Sequence, residues 1–159
     1  MKMRKLIAAG VGAALLVLGL AAFASASTRS TSGHTVSFIA KTTQINQIDL
    51  PPAGFGQGDQ IVFHDQLLRN GKVIGHDGGA CQATFVTQGR PAQFQCLVTF
   101  VFRGGQVAAQ GLINIANPAS FTGRFAVTGG TGTYQKARGQ GTIHQTSETL
   151  ATITLSITS

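Results

Sequence analysis

Two His-Asp dipeptides, His64-Asp65 in "IVFHDQL" and His76-Asp77 in "VIGHDGG", hold the most concentrated acid–base chemistry in the chain. A carboxylate beside an imidazole raises the pKa of the imidazole, and such a pair can pass a proton to a bound molecule. Between the two dipeptides lies Asn70-Gly71, a residue pair favoured in two-residue β-hairpin loops because both positions need positive φ. With that loop, Arg69 faces Lys72, Asp65 faces His76 and His64 faces Asp77. Successive residues of a strand point to opposite faces, so one pair points inward and the other outward. Asp65 shares its face with Ile61, Phe63 and Leu67. Asp65 and His76 are therefore the candidate catalytic pair of the interior, with Ile61 and Phe63 as candidate ligand contacts and Asp77 expected on the outer face. A cross-strand ion pair of little energetic consequence is the plainer reading of the same residues.

The two cysteines obey the same counting. A two-residue loop at Gln88-Gly89 sets Cys81 directly across from Cys96. In an oxidising compartment this predicts a Cys81–Cys96 disulfide. Closing a loop of about 15 residues contributes on the order of 3 kcal/mol in the chain-entropy model. A four-residue loop keeps the cysteines opposite in the other type of ladder pair, and a free Cys81 lining a pocket is the competing role. Gly78-Gly79, in mid-strand, predicts a bulge or a barrel corner that would shift parity and could bring His76 and Cys81 to one face. His64, His76, Asp77 and His144 lack the short spacing of a ligand set, so no metal site is read from them.

The run "VTGGTG" at Val127–Gly132 resembles a phosphate-binding turn, but its surroundings exclude that chemistry. Spacing from Gly129 and Gly132 puts the third glycine of a dinucleotide fingerprint at Gln135. The following "GTIHQTSETLATITLSITS" alternates with period two and is rich in Thr and Ile, which is strand and not the required helix. No Gly-Lys-Ser/Thr occurs. In the loop after the glycines, Tyr134 offers a hydroxyl to a pocket mouth and is a candidate ligand contact, while Arg138 is read as fixing the loop.

The elements that must position these residues are almost all strands. Alternating or β-branched runs fall near 34–45, 60–67, 73–87, 90–102, 107–116, 121–128, 139–146 and 150–158. Asn70-Gly71, Gln88-Gly89 and Gly104-Gly105 supply hairpin turns. Sequential antiparallel neighbours leave two open edges unless the sheet closes on itself, which predicts an all-β, eight-stranded antiparallel up-and-down barrel. A barrel of eight strands is filled by side chains or holds one small ligand. An open two-sheet sandwich is the structural alternative.

The N-terminus reads as an address. "MKMRK" precedes the apolar run "LIAAGVGAALLVLGLAAF", which ends in Ala24-Ser25-Ala26. This is the layout of a secretory signal peptide over residues 1–26, with export as the expected destination and an uncleaved anchor helix as its rival. Residues 27–33 are small and polar and predict a flexible segment, which leaves 34–159 for the barrel domain. Without the leader the chain keeps nine basic and five acidic residues, a net charge of +4. The basic residues are scattered and the aromatic ones are nearly all Phe at alternating positions. A nucleic-acid partner is not expected, nor a membrane once the leader is gone.

"GDQIVFHDQL", "VIGHDGGAC", "AAQG" and above all "AVTGGTGTYQKARGQGTI" together resemble the dirigent and allene oxide cyclase barrel superfamily, over Gly58 through Ile143. The resemblance implies an eight-stranded antiparallel barrel with an apolar central cavity, often a homotrimer, whose glycine-rich turn joins two strands. It implies a small apolar partner, phenolic or lipid-derived, and cyclisation or coupling directed by confinement without a cofactor. Asp65 matches an acid of dirigent proteins, and Cys81 falls on a cysteine that lines the cyclase cavity. A second dirigent acid near Leu112–Asn114, a first-strand glutamate at Phe38 and a fifth-strand tyrosine are missing. A non-catalytic binding or structural barrel is the alternative.

Overall fold

The computed structural model describes residues 33–158. The expected signal peptide at 1–26 and residues 27–32 lie outside the described residues, and Gly33 already belongs to the first strand. Eight strands follow in order: β1 (Gly33–Ile48), β2 (Gln60–Arg69), β3 (Lys72–Phe85), β4 (Ala92–Phe102), β5 (Gly105–Ile115), β6 (Phe121–Gly130), β7 (Arg138–Ser147) and β8 (Leu150–Thr158). Each pairs antiparallel with its sequence neighbour, and β8 pairs back onto β1, so the sheet is a closed barrel rather than a sandwich. Among the described residues, closure leaves no edge strand to be covered.

The alternation expected of a barrel wall is clear in β8, where Ala151, Ile153, Leu155 and Ile157 are buried and the Thr and Ser residues between them are not. The inward residues pack in two groups. At one end of the barrel Phe38, Phe100, Phe102 and Phe125 pack ring against ring, with centroid separations of 5.7–6.5 Å. A second group, Ala83, Phe94, Cys96 and Ile113, fills the other end.

Asn70 and Gly71 have φ of 51° and 73°, so the hairpin turn is the one the sequence predicts, and Arg69 faces Lys72. The register above it is not. Leu68 faces Val73 while Leu67 faces Gly75, so Ile74 is an extra residue on β3. This bulge lies four residues before the glycine pair at which one was expected, and through Gly78-Gly79 the ladder is regular. A second turn is also displaced. Phe102 faces Gly105, so the β4–β5 loop is Arg103-Gly104 and not Gly104-Gly105. Gly105 has φ of 141° and lies against the backbone of Thr131, an approach that leaves no room for a Cβ.

The glycine-rich run ends β6 and enters a single 3-10 turn at Gly132–Tyr134. Its backbone is spent on the neighbouring hairpin: Thr131 N–H donates to the Gln106 carbonyl at 2.9 Å and Thr133 N–H to the Gly104 carbonyl at 2.9 Å. In return the Thr131 hydroxyl accepts from Gln106 N–H at 3.1 Å. The donors that a phosphate would need are held by the β4–β5 connection.

Candidate functional site

The inward row of β2 runs Ile61, Phe63, Asp65, Leu67. Two of these residues line an opening at one end of the barrel or lead inward from it. The β1–β2 connection folds back over this end, held by Asp59, whose two carboxylate oxygens accept from the N–H groups of Leu50 at 2.9 Å and Gly56 at 2.8 Å. These backbone hydrogen bonds hold the Asp59 pKa below its usual value. The folded-back segment sets the ring of Phe55 on Phe94, 5.9 Å between centroids and nearly parallel. Beneath it is a cavity of about 110 Å³, lined among others by Ile48, Phe55, Asp59, Ile61 and Phe94. Phe63 stands next inward along β2, its ring lying over Gly79: a Cβ there would come within 2.5 Å of Phe63 Cζ.

Past Phe63 comes Asp65, and here the sequence expectation is corrected. Asp65 does not face His76. The unpaired Ile74 shifts β3 by one residue, so Asp65 faces Asp77, His64 faces Gly78 and Gln66 faces His76. Asp77, expected outside, is inside. The side-chain period of a strand is two, so a slip of one residue exchanges the faces of everything beyond it. Asp65 and Asp77 are 7% and 2% exposed. The two imidazoles take the other face, where the rings of His64 and His76 stack with centroids 5.4 Å apart. His64 Nδ1 lies 2.9 Å from the hydroxyl of Thr43. His76 therefore cannot serve an interior site.

The two carboxyls occupy an apolar interior. Burial pushes the pKa of Asp77 up to about 8, and the facing Asp65 adds to the rise. Burial also raises Asp65, opposed by the Thr42 hydroxyl, by Asp77 and by the charge of His64. Two carboxylates in contact away from water do not both ionise readily, so the pair titrates as a unit with Asp77 retaining the proton at neutral pH. The Oδ1 atoms of both are buried without a hydrogen-bond partner.

The other candidates fall in two places. Cys81 and Cys96 face each other on β3 and β4 and form the expected disulfide, which closes a 15-residue separation. The bond packs with Phe94 and Ile61 at the cavity end and removes Cys81 as a free thiol. Tyr134 sits at the opposite end, after β6, with its ring 5.8 Å from Phe102. Ile61, Phe63, Cys81 and Asp65 are thus brought to one side of the interior, whereas Tyr134 closes the far end. The residues that sequence reasoning misplaced are His76 and Asp77, which exchange faces. Gly78-Gly79 signalled an irregularity in β3, but only the folded register shows that it falls at Ile74.

Fold and site define an up-and-down β-barrel with an acid pair buried in its apolar interior. Residues 39–156 match the family model of the allene oxide cyclase barrel-like domain, and the chain belongs to that family. Among solved structures, a pyocyanin demethylase is 32% identical, with 79% of this chain and 100% of that one covered and a TM-score of 0.69. The Diels-Alderase AbmU from Streptomyces koyangensis is 15% identical, with 77% and 63% covered and a TM-score of 0.65. The pterocarpan synthase dirigent protein GePTS1 is 15% identical, with 79% and 87% covered and a TM-score of 0.61. The latter two share the fold. No curated protein sequence matches the chain.

Proposed function

We propose that this barrel is exported and confines a small, largely apolar molecule, entering beneath Phe55, against the carboxyl of Asp65. Asp65 orients the molecule or moves its proton, so that the barrel directs an isomerisation, cyclisation or coupling by confinement. The observation that carries this reading is the buried Asp65 at the depth of an apolar row, Ile61 and Phe63, that begins at the cavity. A pocket of about 110 Å³ is smaller than that of a drug-sized ligand. Binding therefore requires the 49–58 segment and the Phe63 ring to move. The N-terminal leader pattern and the disulfide support export.

The test is a thermal-shift screen of phenolic and oxidised-lipid molecules, with pyocyanin included because the demethylase with 32% identity is named for it. Hits are followed by product analysis. A ligand that raises Tm in the wild type, and is bound or turned over less by Asp65→Asn, supports the reading. A panel without a single Tm shift opposes it. The packed rings of Phe38, Phe100 and Phe102 favour a second reading, a barrel filled by its own side chains that changes no ligand. A ligand recovered chemically altered excludes that second reading. Export is tested separately by N-terminal sequencing of protein from culture medium, with Ser27 expected first and an intact Met1 in the membrane fraction opposing it.

A further inference from the structure

The buried carboxyls support a more specific assignment, which rests on the ligand site just proposed. Asp65 and Asp77 are Cα partners on adjacent strands, and both are more than nine-tenths buried. Among the described residues, charged groups that could balance them do not share their face. On β1 the inward neighbours are Thr42, which faces Asp65, and Ala40, while Lys41 is exposed. On β2 they are Phe63 and Leu67, with His64 on the outer side. On β3 they are Gly75 and Gly79, with His76 outside. On β4 Phe100 faces Asp77. Among the described residues, His64 is the basic side chain that acts electrostatically on Asp65, and it does so from the outer face.

A structural acid pair in such a place would be expected to satisfy its oxygens. This one does not: Oδ1 of Asp65 and Oδ1 of Asp77 are both buried and unpartnered. Buried acceptors without donors are rare in folded proteins and mark a missing partner or a chemical role. Two carboxyls that hold one proton between them present an acceptor and a donor side by side, which is the equipment for moving a proton within a single molecule.

We propose that Asp65 and Asp77 form a one-proton carboxyl dyad that catalyses proton relocation in a bound enolisable or conjugated carbonyl compound. The ionised Asp65 takes the proton from the carbon beside the carbonyl, and the C–H electron pair becomes the C=C of the enolate. The protonated Asp77 donates to the developing oxyanion, giving the enol. The exchange leaves Asp65 protonated and Asp77 ionised. Return of a proton to carbon from Asp65, at the original or the conjugated position, and of the hydroxyl proton to Asp77 restores both groups. Atoms and charge balance, and no second reactant is consumed.

The dyad is tested without a ligand by NMR titration of carbon-13-labelled aspartate carboxyls in the wild type, Asp65→Asn and Asp77→Asn. The expected result is two well-separated steps in the wild type. In each variant the surviving carboxyl should titrate at least about one pH unit below the upper wild-type step, because its like-charged partner is gone. Survivors that titrate as they do in the wild type, or a wild type with both carboxyls titrating together in the ordinary range, overturn the dyad. The wild-type titration alone decides this if a variant does not fold. For chemistry the probe is 2-tetralone in D₂O, with loss of its C1 protons followed by NMR. Exchange at least about tenfold faster with wild type than with either variant supports the proposal. A raised Tm with 2-tetralone but no faster exchange overturns proton relocation and leaves the ligand site standing. Neither a Tm shift nor exchange overturns both for this compound class.

Discussion

Asp77 faces Asp65 across the β2–β3 ladder, with no imidazole between them. The pairing gives the fold a pH dependence of definite sign. Asp77 titrates at about 8 in the folded chain against an ordinary 3.8, so between those values the folded state binds more protons than the unfolded one. Stability is then highest toward pH 4 and falls as pH rises to 8, by at most about 1.4 kcal/mol per pH unit. Asp77→Asn removes this loss. Urea unfolding at pH 5, 7 and 9 should show wild type weakening steadily and the variant changing much less; parallel profiles would contradict the assignment.

Three glycines of β3 should respond differently to alanine. A Cβ at Gly75 would collide with the Val101 carbonyl oxygen, and one at Gly79 would meet Phe63 Cζ at 2.5 Å and the Leu97 carbonyl at 2.8 Å. At Gly78 the nearest atom, the Phe63 carbonyl oxygen, is 3.8 Å away. Gly75→Ala and Gly79→Ala should each cost about 1–3 kcal/mol through overpacking. Gly78→Ala should be neutral or slightly stabilising, because it narrows the unfolded ensemble. Tm values of the three variants check the ordering.

Reduction should weaken the barrel without changing its topology. The Cys81–Cys96 bond closes a separation of 15 residues, so Cys81→Ala with Cys96→Ala should lose about 3 kcal/mol in the chain-entropy model. The strand pairing survives, because Cys81 faces Cys96 within a ladder that β2 and β5 flank on both sides. Circular dichroism unchanged at 20 °C, with a lowered urea midpoint, is the expected pair of results.

Asp59 should act as the latch of the 49–58 segment. Its carboxylate holds Leu50 and Gly56 through their N–H groups, and those bonds lower its pKa below 3.8. A lowered acid contributes stability that is present above 3.8 and is lost as pH falls through the folded value. Asp59→Ala removes the contribution at every pH. Chymotrypsin at pH 7 should cut after Phe55 in the variant well before it cuts the wild type, while the barrel strands resist in both. Equal cleavage rates would place the latch elsewhere.

Much of this molecule is legible without coordinates. The eight strands, their antiparallel order and the Asn70-Gly71 turn follow from period-two alternation and turn chemistry, both local properties. The Cys81–Cys96 pairing is also as counted, although the ladder slips by one residue between Ala83 and Phe85 and Phe85 faces Gln93 rather than Ala92, so the pairing holds while the strict two-residue loop does not. The β4–β5 turn is off by a residue because two adjacent glycines fit either loop. Only the pass of Thr131 over Gly105 selects one.

The acid pair was decided by the tertiary structure. "HDQLLRNGKVIGHD" states which residues turn and which are apolar, and from it Asp65 meets His76. The closed barrel adds a constraint the segment does not contain: β3 must keep register with β2 on one side and β4 on the other. It meets β4 where Gly75 lies against Val101 and Phe102. Ile74 is left unpaired on the β2 side, and one unpaired residue inverts the faces of all that follows. Local sequence determines whether a strand alternates. Which alternate set points inward depends on the sum of residues around a closed sheet, and that sum exists only once the strands have met.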